Sequence, residues 1–400
     1  MHFSILWYIP IFVLSLVFVA IVIPAIVSVA DKIHLYDIQD DRKVHQGEVP
    51  RLGGISFLPA ILFTLLTVLA IMTRFLPESI HVSYAPITEV MMAAAGCVLL
   101  YLVGLMDDTI GVSYRSKFIV QFLAALLLCC SGLYISDLHG ILGIHTLPAV
   151  LGVPLTVLII VFIINSINLI DGIDGLASGL CILGALGFIA MFQKLTMAMN
   201  LVLAMSMLGV LVMFYIYNTL GKRGKTKIFM GDTGSLTMGF LLAFFAIELC
   251  CFKWDRVDLA LLGETEPFYT GDQLFVYGIS LIIVPVLDVF RVFYSRIRDG
   301  KSPFKPDKRH IHHKFLALGF SMRQARWTIF SMSILLWALN VLMSFVLCWN
   351  VNVIIAVDIA LWVVFNLYIS RCVRKRQLMH DAVAEGFDDF CNSKNKHNGK

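Results

Sequence analysis

Four polar residues close an apolar run in a pattern that could do chemistry. Asn165, Asn168, Asp171 and Asp174 follow VPLTVLIIVFII at intervals of three, within NSINLIDGIDGLASG. Residues so spaced share a helix face only approximately, and Gly172 and Gly175 interrupt them. The stretch therefore reads as a helix end, a tight turn and a new helix start, where side chains and helix N-terminal amides converge on an anion. Met230-Gly231-Asp232-Thr233-Gly234-Ser235, again just before an apolar run, reads as a second such start. Carboxylates gathered with amide oxygens suit Mg²⁺, a hard cation that takes one or two carboxylates plus phosphate oxygens, with Mn²⁺ as its substitute.

Each acidic residue also has a plain structural reading, since Asp171 or Asp232 alone could simply cap the helix that follows. Five carboxylates, counting Asp107, Asp108 and Asp174, beside one histidine-rich loop are poorly explained by capping alone. That loop, DGKSPFKPDKRHIHH, holds His310, His312 and His313 among Lys308, Arg309 and Lys314. Its positive charge and the lack of a nearby Cys favour an anion-binding loop over a zinc site. Gly224-Lys225-Thr226 imitates the end of a P-loop, but Thr219 stands where its first glycine belongs and no strand precedes it. The basic loops also lack the aromatic interleaving of a nucleic-acid platform, so no nucleic-acid partner is expected.

The elements that position these residues follow from composition. The 400-residue chain is 59% hydrophobic and 14% charged, with a mean hydropathy of +0.85. Apolar runs recur at 4–30, 53–73, 88–106, 117–136, 148–168, 176–193, 197–217, 233–250, 274–294, 327–348 and 351–370. Each approaches the roughly 18–20 residues that carry a helix across a bilayer. Lipid offers backbone amides no partner, so the spans must be helices, and the short alternating segments of a barrel are absent. The expectation is an all-α polytopic membrane protein with about eleven transmembrane helices. The first run lacks a basic leader and reads as a retained helix. The nine cysteines lie mostly in apolar runs and imply no disulfide framework.

Loop charge gives the orientation. With the N-terminus outside, the outer loops hold only Arg74, Lys194, Lys253 and Arg256, and the other 27 of the 31 Lys and Arg face the cytoplasm. Residues 1–370 then form a membrane-embedded domain whose cytoplasmic loops (31–52, 107–117, 165–176, 218–235 and 295–326) carry the polar motifs. Residues 371–400 form a polar cytoplasmic tail. All five acidic residues fall near the cytoplasmic ends of helices, where ionisable groups are a functional signal.

The motifs together resemble the polyprenyl-phosphate N-acetylhexosamine-1-phosphate transferase superfamily (glycosyltransferase 4, MraY-like). They are PRLGG at 50–54, DD with K-F-x-x-Q at 107–121, N-x-x-N-x-x-D-G-x-D-G-L at 165–176, F-M-G-D-x-G-S at 229–235 and S-P-F-x-P-D-x-x-H-I-H-H at 302–313. The HIHH form is more similar to the WecA/TagO-type branch than to the MraY type, which has three consecutive histidines. The resemblance implies transfer of N-acetylhexosamine-1-phosphate, foremost GlcNAc-1-phosphate, from a UDP-sugar to undecaprenyl phosphate with release of UMP. It implies a Mg²⁺-dependent enzyme of the bacterial inner (cytoplasmic) membrane, initiating a cell-envelope glycan. Another UDP-N-acetylhexosamine or UDP-MurNAc-pentapeptide is the alternative donor, and a secondary transporter the remote alternative. Expected partners are the two substrates, the lipid bilayer and a second copy in a homodimer.

Roles follow from the same resemblance. Asp232 corresponds to a metal-ligand aspartate, joined by Asn168. Asp107 corresponds to the aspartate that binds or deprotonates the lipid phosphate, with Asp108 beside it. Asp171 and Asp174 line the nucleotide-sugar pocket with Arg51, Lys117, Asn165 and Gly231, and Phe229 stacks on uracil. His312 and His313 act on the diphosphate, assisted by His310, Lys308 and Arg309.

Overall fold

The computed structural model describes residues 8–33, 49–75, 84–222, 224–254, 268–302 and 309–397. Lys308 and most of the loop after the first helix lie outside the described residues. The described chain forms α1 (Tyr8–Lys32), α2 (Phe57–Phe75), α3 (Tyr84–Ile110), α4 (Tyr114–Cys130), α5 (Ala149–Ile170), α6 (Leu176–Lys194) and α7 (Ala198–Leu220). There follow α8 (Gly231–Cys250), α9 (Gly271–Ser280), α10 (Ile283–Arg298), α11 (Ile311–Ala317), α12 (Met322–Val341) and α13 (Val351–His397). A two-stranded antiparallel hairpin, β1 (Asp137–Ile141) and β2 (Ile144–Thr146), is the sheet among the described residues.

Among the described residues, nine of these helices are long and apolar enough to cross a membrane, and the bent pair α9–α10 passes the same test when its two helices are taken together. With α4, whose 17 residues reach about 25 Å at 1.5 Å per residue, every apolar run has a helical counterpart. The protein is thus all-α and polytopic. The structure adds two details to the sequence reading. The run at 274–294 is two helices meeting at 71°. Pro285 lacks the N–H that would bond to the Leu281 carbonyl, so the helix breaks there. The polar segment expected as a tail continues α13 as helix to His397.

The bundle is organised around α8, all twenty residues of which are buried. A helix apolar nearly all round must lie inside other helices, and α3 and α5 pack along it. Its first two turns meet the end of α3 through Asp108, the start of α4 through Lys117 and the end of α5 through Asn168, so the polar motifs gather at one end. The hairpin closes the other end. His139 Nε2 lies 2.8 Å from the Cys250 carbonyl oxygen, and Asn352 Nδ2 donates to the Gly140 carbonyl at 2.8 Å. Eight of the nine cysteines, from Cys97 to Cys372, are free thiols.

Candidate active site

The PRLGG and FMGD motifs are one backbone unit. Phe229 N donates to the Pro50 carbonyl at 2.8 Å, Gly53 N to Phe229 and Gly54 N to Met230, both at 2.9 Å. This pairing fixes the start of α8. Gly231 begins the helix at φ +71°, and a Cβ there would meet the Arg51 carbonyl oxygen at 2.3 Å and Asp108 Oδ2 at 2.4 Å. Only glycine fits that corner.

Asp108 reaches this corner from the end of α3. Its Oδ1 accepts Asp232 N–H at 2.8 Å, while Oδ2 accepts Thr233 N–H at 2.9 Å and the Thr233 hydroxyl at 2.6 Å. It caps α8 from another helix, satisfying two of its orphan amides and placing negative charge at the positive end of its dipole. Asp107 turns the other way. Its Oδ1 accepts Val112 N–H at 2.8 Å and its Oδ2 accepts Lys117 Nζ at 2.7 Å. Lys117 also donates to Asp232 Oδ2 at 2.5 Å, and Arg51 stands 3.8 Å from Asp232 Oδ1.

Asp107, Asp108 and Asp232 each place a carboxylate oxygen within 4.8 Å of the others. Because Asp108 is engaged by the α8 amides, Asp107 and Asp232 are the oxygens best placed for a hard cation, in a gap now bridged by the Lys117 ammonium. An all-oxygen donor set of two carboxylates fits Mg²⁺ better than a soft or nitrogen-ligated metal. Asn168 stands at the same corner, its Nδ2 donating to Ser235 Oγ at 2.8 Å.

The stretch that opened the sequence reading is a helix end and a new start, as its glycines predict, with α5 ending at Ile170 and α6 beginning at Leu176. The turn between them is held from three sides. Asp174 Oδ2 accepts the Lys227 ammonium, Gly175 N donates to Asn218 Oδ1 at 2.6 Å, and Arg326 donates to the Asp174 carbonyl at 2.7 Å. Asp171 reaches water, yet the protein packed around it desolvates its carboxyl and raises it to about 7; Asp232, Asp174 and Asp108 add to the rise and Arg51 opposes it. Asn165 is differently employed. Its Nδ2 donates to Gln121 Oε1 at 2.6 Å and to the Val161 carbonyl at 2.7 Å, tying α5 to α4.

The histidine loop packs onto this turn. A Cβ on Gly172 would lie 2.2 Å from His312 Nε2, so the ring rests on bare backbone. His312 is buried, neither ring nitrogen has a hydrogen-bond partner among the described residues, and burial pulls the imidazole down to about 3. It is therefore neutral. His313 packs against it with its ring tilted by 44° and 4.2 Å between ring centroids. Arg309 is held by Asp299 at 2.6 Å and Ser295 at 2.8 Å.

The sequence reading did not single out Lys227, Asn218, Gln121, Arg326 or Asp288 as site residues. Of these, Gln121 closes the K-F-x-x-Q motif, and Asp288 carried a signal of its own, a lone carboxylate inside an apolar run.

An apolar groove of about 540 Å³ runs between α4, α5 and α10, lined by Tyr114, Phe118, Phe122, Leu158, Phe162 and Phe293, with Arg115 and Asn165 as its polar lining. Ile119 and Leu158 on its walls are more than half exposed, so it opens sideways from the bundle.

Known proteins are similar to this chain. Residues 90–250, which hold all five carboxylates, match glycosyl transferase family 4. The chain is 32% identical over 323 residues to the undecaprenyl-phosphate alpha-N-acetylglucosaminyl 1-phosphate transferase of Escherichia coli (strain K12), covering 80% of this chain and 79% of that one. It is 31% identical over 303 residues to the protein of the same name from Yersinia pestis, covering 74% of each. Likeness at this level, along most of both chains and through the residues that build the carboxylate corner, places the protein in a family: it belongs to glycosyl transferase family 4.

Proposed function

We propose that the chain transfers N-acetylglucosamine-1-phosphate from its UDP-sugar to undecaprenyl phosphate, releasing UMP. One observation carries the reading. A carboxylate corner with two cations, Lys117 and Arg51, sits at the end of a helical bundle beside an apolar groove, where a lipid-borne acceptor and a water-borne donor can meet. The relatives named for this reaction support the choice of substrates.

The chain's residues have separable tasks in this reading. The groove holds the polyprenyl chain, with Arg115 on its wall and Lys117 at the carboxylate corner drawing in the acceptor phosphate. Asp171, Asp174, Phe229 and Arg51 frame the nucleotide sugar, and Lys227 keeps Asp174 from repelling the diphosphate. A divalent cation, Mg²⁺ or Mn²⁺, held by Asp107 and Asp232 with Asn168 would neutralise diphosphate charge. An oxygen of the acceptor phosphate attacks the β-phosphorus, and the bond to the α-phosphate oxygen breaks as UMP leaves. Phosphoryl transfer of this kind needs positioning and charge neutralisation more than covalent help from the protein. A phosphate monoester loses its second proton near pH 6, so Asp107 serves as binder and no protein base is required.

The loop charges support an N-terminus outside, a cytoplasmic C-terminus and a site facing the cytoplasm, in the inner membrane of a bacterium. Purified protein supplied with undecaprenyl phosphate and a panel of UDP-sugars tests the reading. The expected result is UMP release that needs both substrates and a divalent cation, fastest with UDP-N-acetylglucosamine. Release of UMP without a lipid product, or from no donor at all, overturns it.

A further inference from the structure

The side chain on which the histidine loop is seated lies inside the bent pair α9–α10. Asp288, on α10, is fully buried, and three donors converge on it. Arg291 donates to Oδ1 at 2.7 Å, while His310 Nδ1 lies 2.9 Å and Ile311 N 3.2 Å from Oδ2. Arg291, one turn along the same helix, also donates to the Arg309 carbonyl at 2.7 Å. Residues 309–311 are thus gripped from beneath by two side chains of α10.

This grip decides the chemistry of His310. A carboxylate already accepting from a guanidinium and an amide can only accept from the imidazole, so the proton sits on Nδ1 and Nε2 is left for another partner. Nε2 has no hydrogen-bond partner among the described residues, although His310 is only 4% exposed. Buried polar atoms are almost always paired, so an orphan of this kind marks a place for a ligand. The His312 ring lies parallel to it, 6.0 Å away and tilted by 8°, and rests in turn on Gly172 of the carboxylate turn.

Building on the transferase reading, we infer that Asp288 is the positioning residue of the site. It fixes the Nδ1–H form and direction of His310 so that Nε2 meets a phosphoryl oxygen or its proton on the sugar-nucleotide diphosphate. Asp288 itself touches no substrate. Carboxylates behind working imidazoles act in this way elsewhere, by setting tautomer and orientation.

The substitution Asp288→Asn preserves shape but presents an amide that can donate toward Nδ1. It is expected to lower kcat for UMP release by about 10- to 100-fold, the usual loss when the carboxylate behind a working imidazole is removed, with little change in KM for the polyprenyl phosphate. In a His310→Gln background the same change should cost less than about twofold, because residues acting as one unit are not additive. An equal loss in both backgrounds, or near-normal turnover of Asp288→Asn, overturns the assignment. Histidine-selective ¹⁵N NMR of the wild-type protein, with the His310 signals identified by their loss in His310→Gln, needs neither folding of the Asp288 variant nor turnover. A neutral Nδ1-protonated ring supports the assignment, and a neutral Nε2-protonated ring overturns it. If wild-type protein releases no UMP, the transferase reading falls, and the tautomer measurement still decides the role of Asp288.

Discussion

Asp107 and Asp108 are neighbours in sequence with opposite employment. Asp108 spends its oxygens on the amides and hydroxyl that open α8, whereas Asp107 and Asp232 share Lys117. Asp108→Ala should therefore lower thermal stability by about 1–2 kcal/mol, as loss of a helix cap does, which differential scanning fluorimetry of purified protein would register. Asp232→Asn should leave the unfolding temperature near normal and abolish cation-dependent turnover. Near-normal turnover in a folded Asp232→Asn protein would remove it as a metal ligand. His312 makes a pH prediction. Its folded-state imidazole, held near 3 by burial with His313 and His310 adding, compares with an ordinary 6.5 when unfolded. The unfolded chain thus binds a proton below 6.5 that the folded chain refuses, so stability present above that pH is lost on acidification, by about 1.4 kcal/mol per pH unit from this group. The unfolding temperature of wild type should fall more steeply from pH 7 to pH 5 than that of His312→Gln. Parallel slopes would mean that His312 takes up a proton freely.

At the scale of elements, the apolar runs gave the helices almost end to end, and the glycines in NLIDGIDGL gave the break between α5 and α6. Periodicity and turn chemistry are local, so they can be read from one stretch of chain. The bend between α9 and α10 was written in Pro285 but masked by a run that was apolar throughout. The contacts that assemble the site were not legible, because their partners are remote. Asp108 grips Thr233 across 125 positions and Lys227 reaches Asp174 across 53. Nothing in the spacing around either residue reports the other. The start of α8 is the element where this assembly is tightest. Gly231→Ala would force a side chain into a left-handed conformation costing about 1–3 kcal/mol and drive its Cβ into Arg51 and Asp108. Loss of turnover together with a lowered unfolding temperature is expected, and an active, equally stable Gly231→Ala protein would refute the close packing of that corner.

For the whole molecule, the carboxylates, the histidines and the basic loop at 221–227 share one end of the bundle, and the β1–β2 hairpin occupies the other. The topology is tested by single cysteines in a background without the nine native ones. A cysteine at Lys222, which is exposed, should escape a membrane-impermeant thiol reagent in intact cells and react once the membrane is opened. One at Leu142, 85% exposed on the hairpin, should react in both states. The reverse pattern would put the site on the side without nucleotide sugars.

The groove between α4, α5 and α10 opens sideways. A substrate that arrives through such an opening never dissolves in water, so its volume concentration has no meaning for the protein. What counts is its mole fraction among the surrounding lipids, and the search for the site is a two-dimensional one. Adding inert detergent to a fixed amount of acceptor should therefore slow the reaction by surface dilution, while enlarging the aqueous volume at constant donor concentration should not. In a cell, the lipid composition of the membrane would set the supply of acceptor as directly as the number of acceptor molecules.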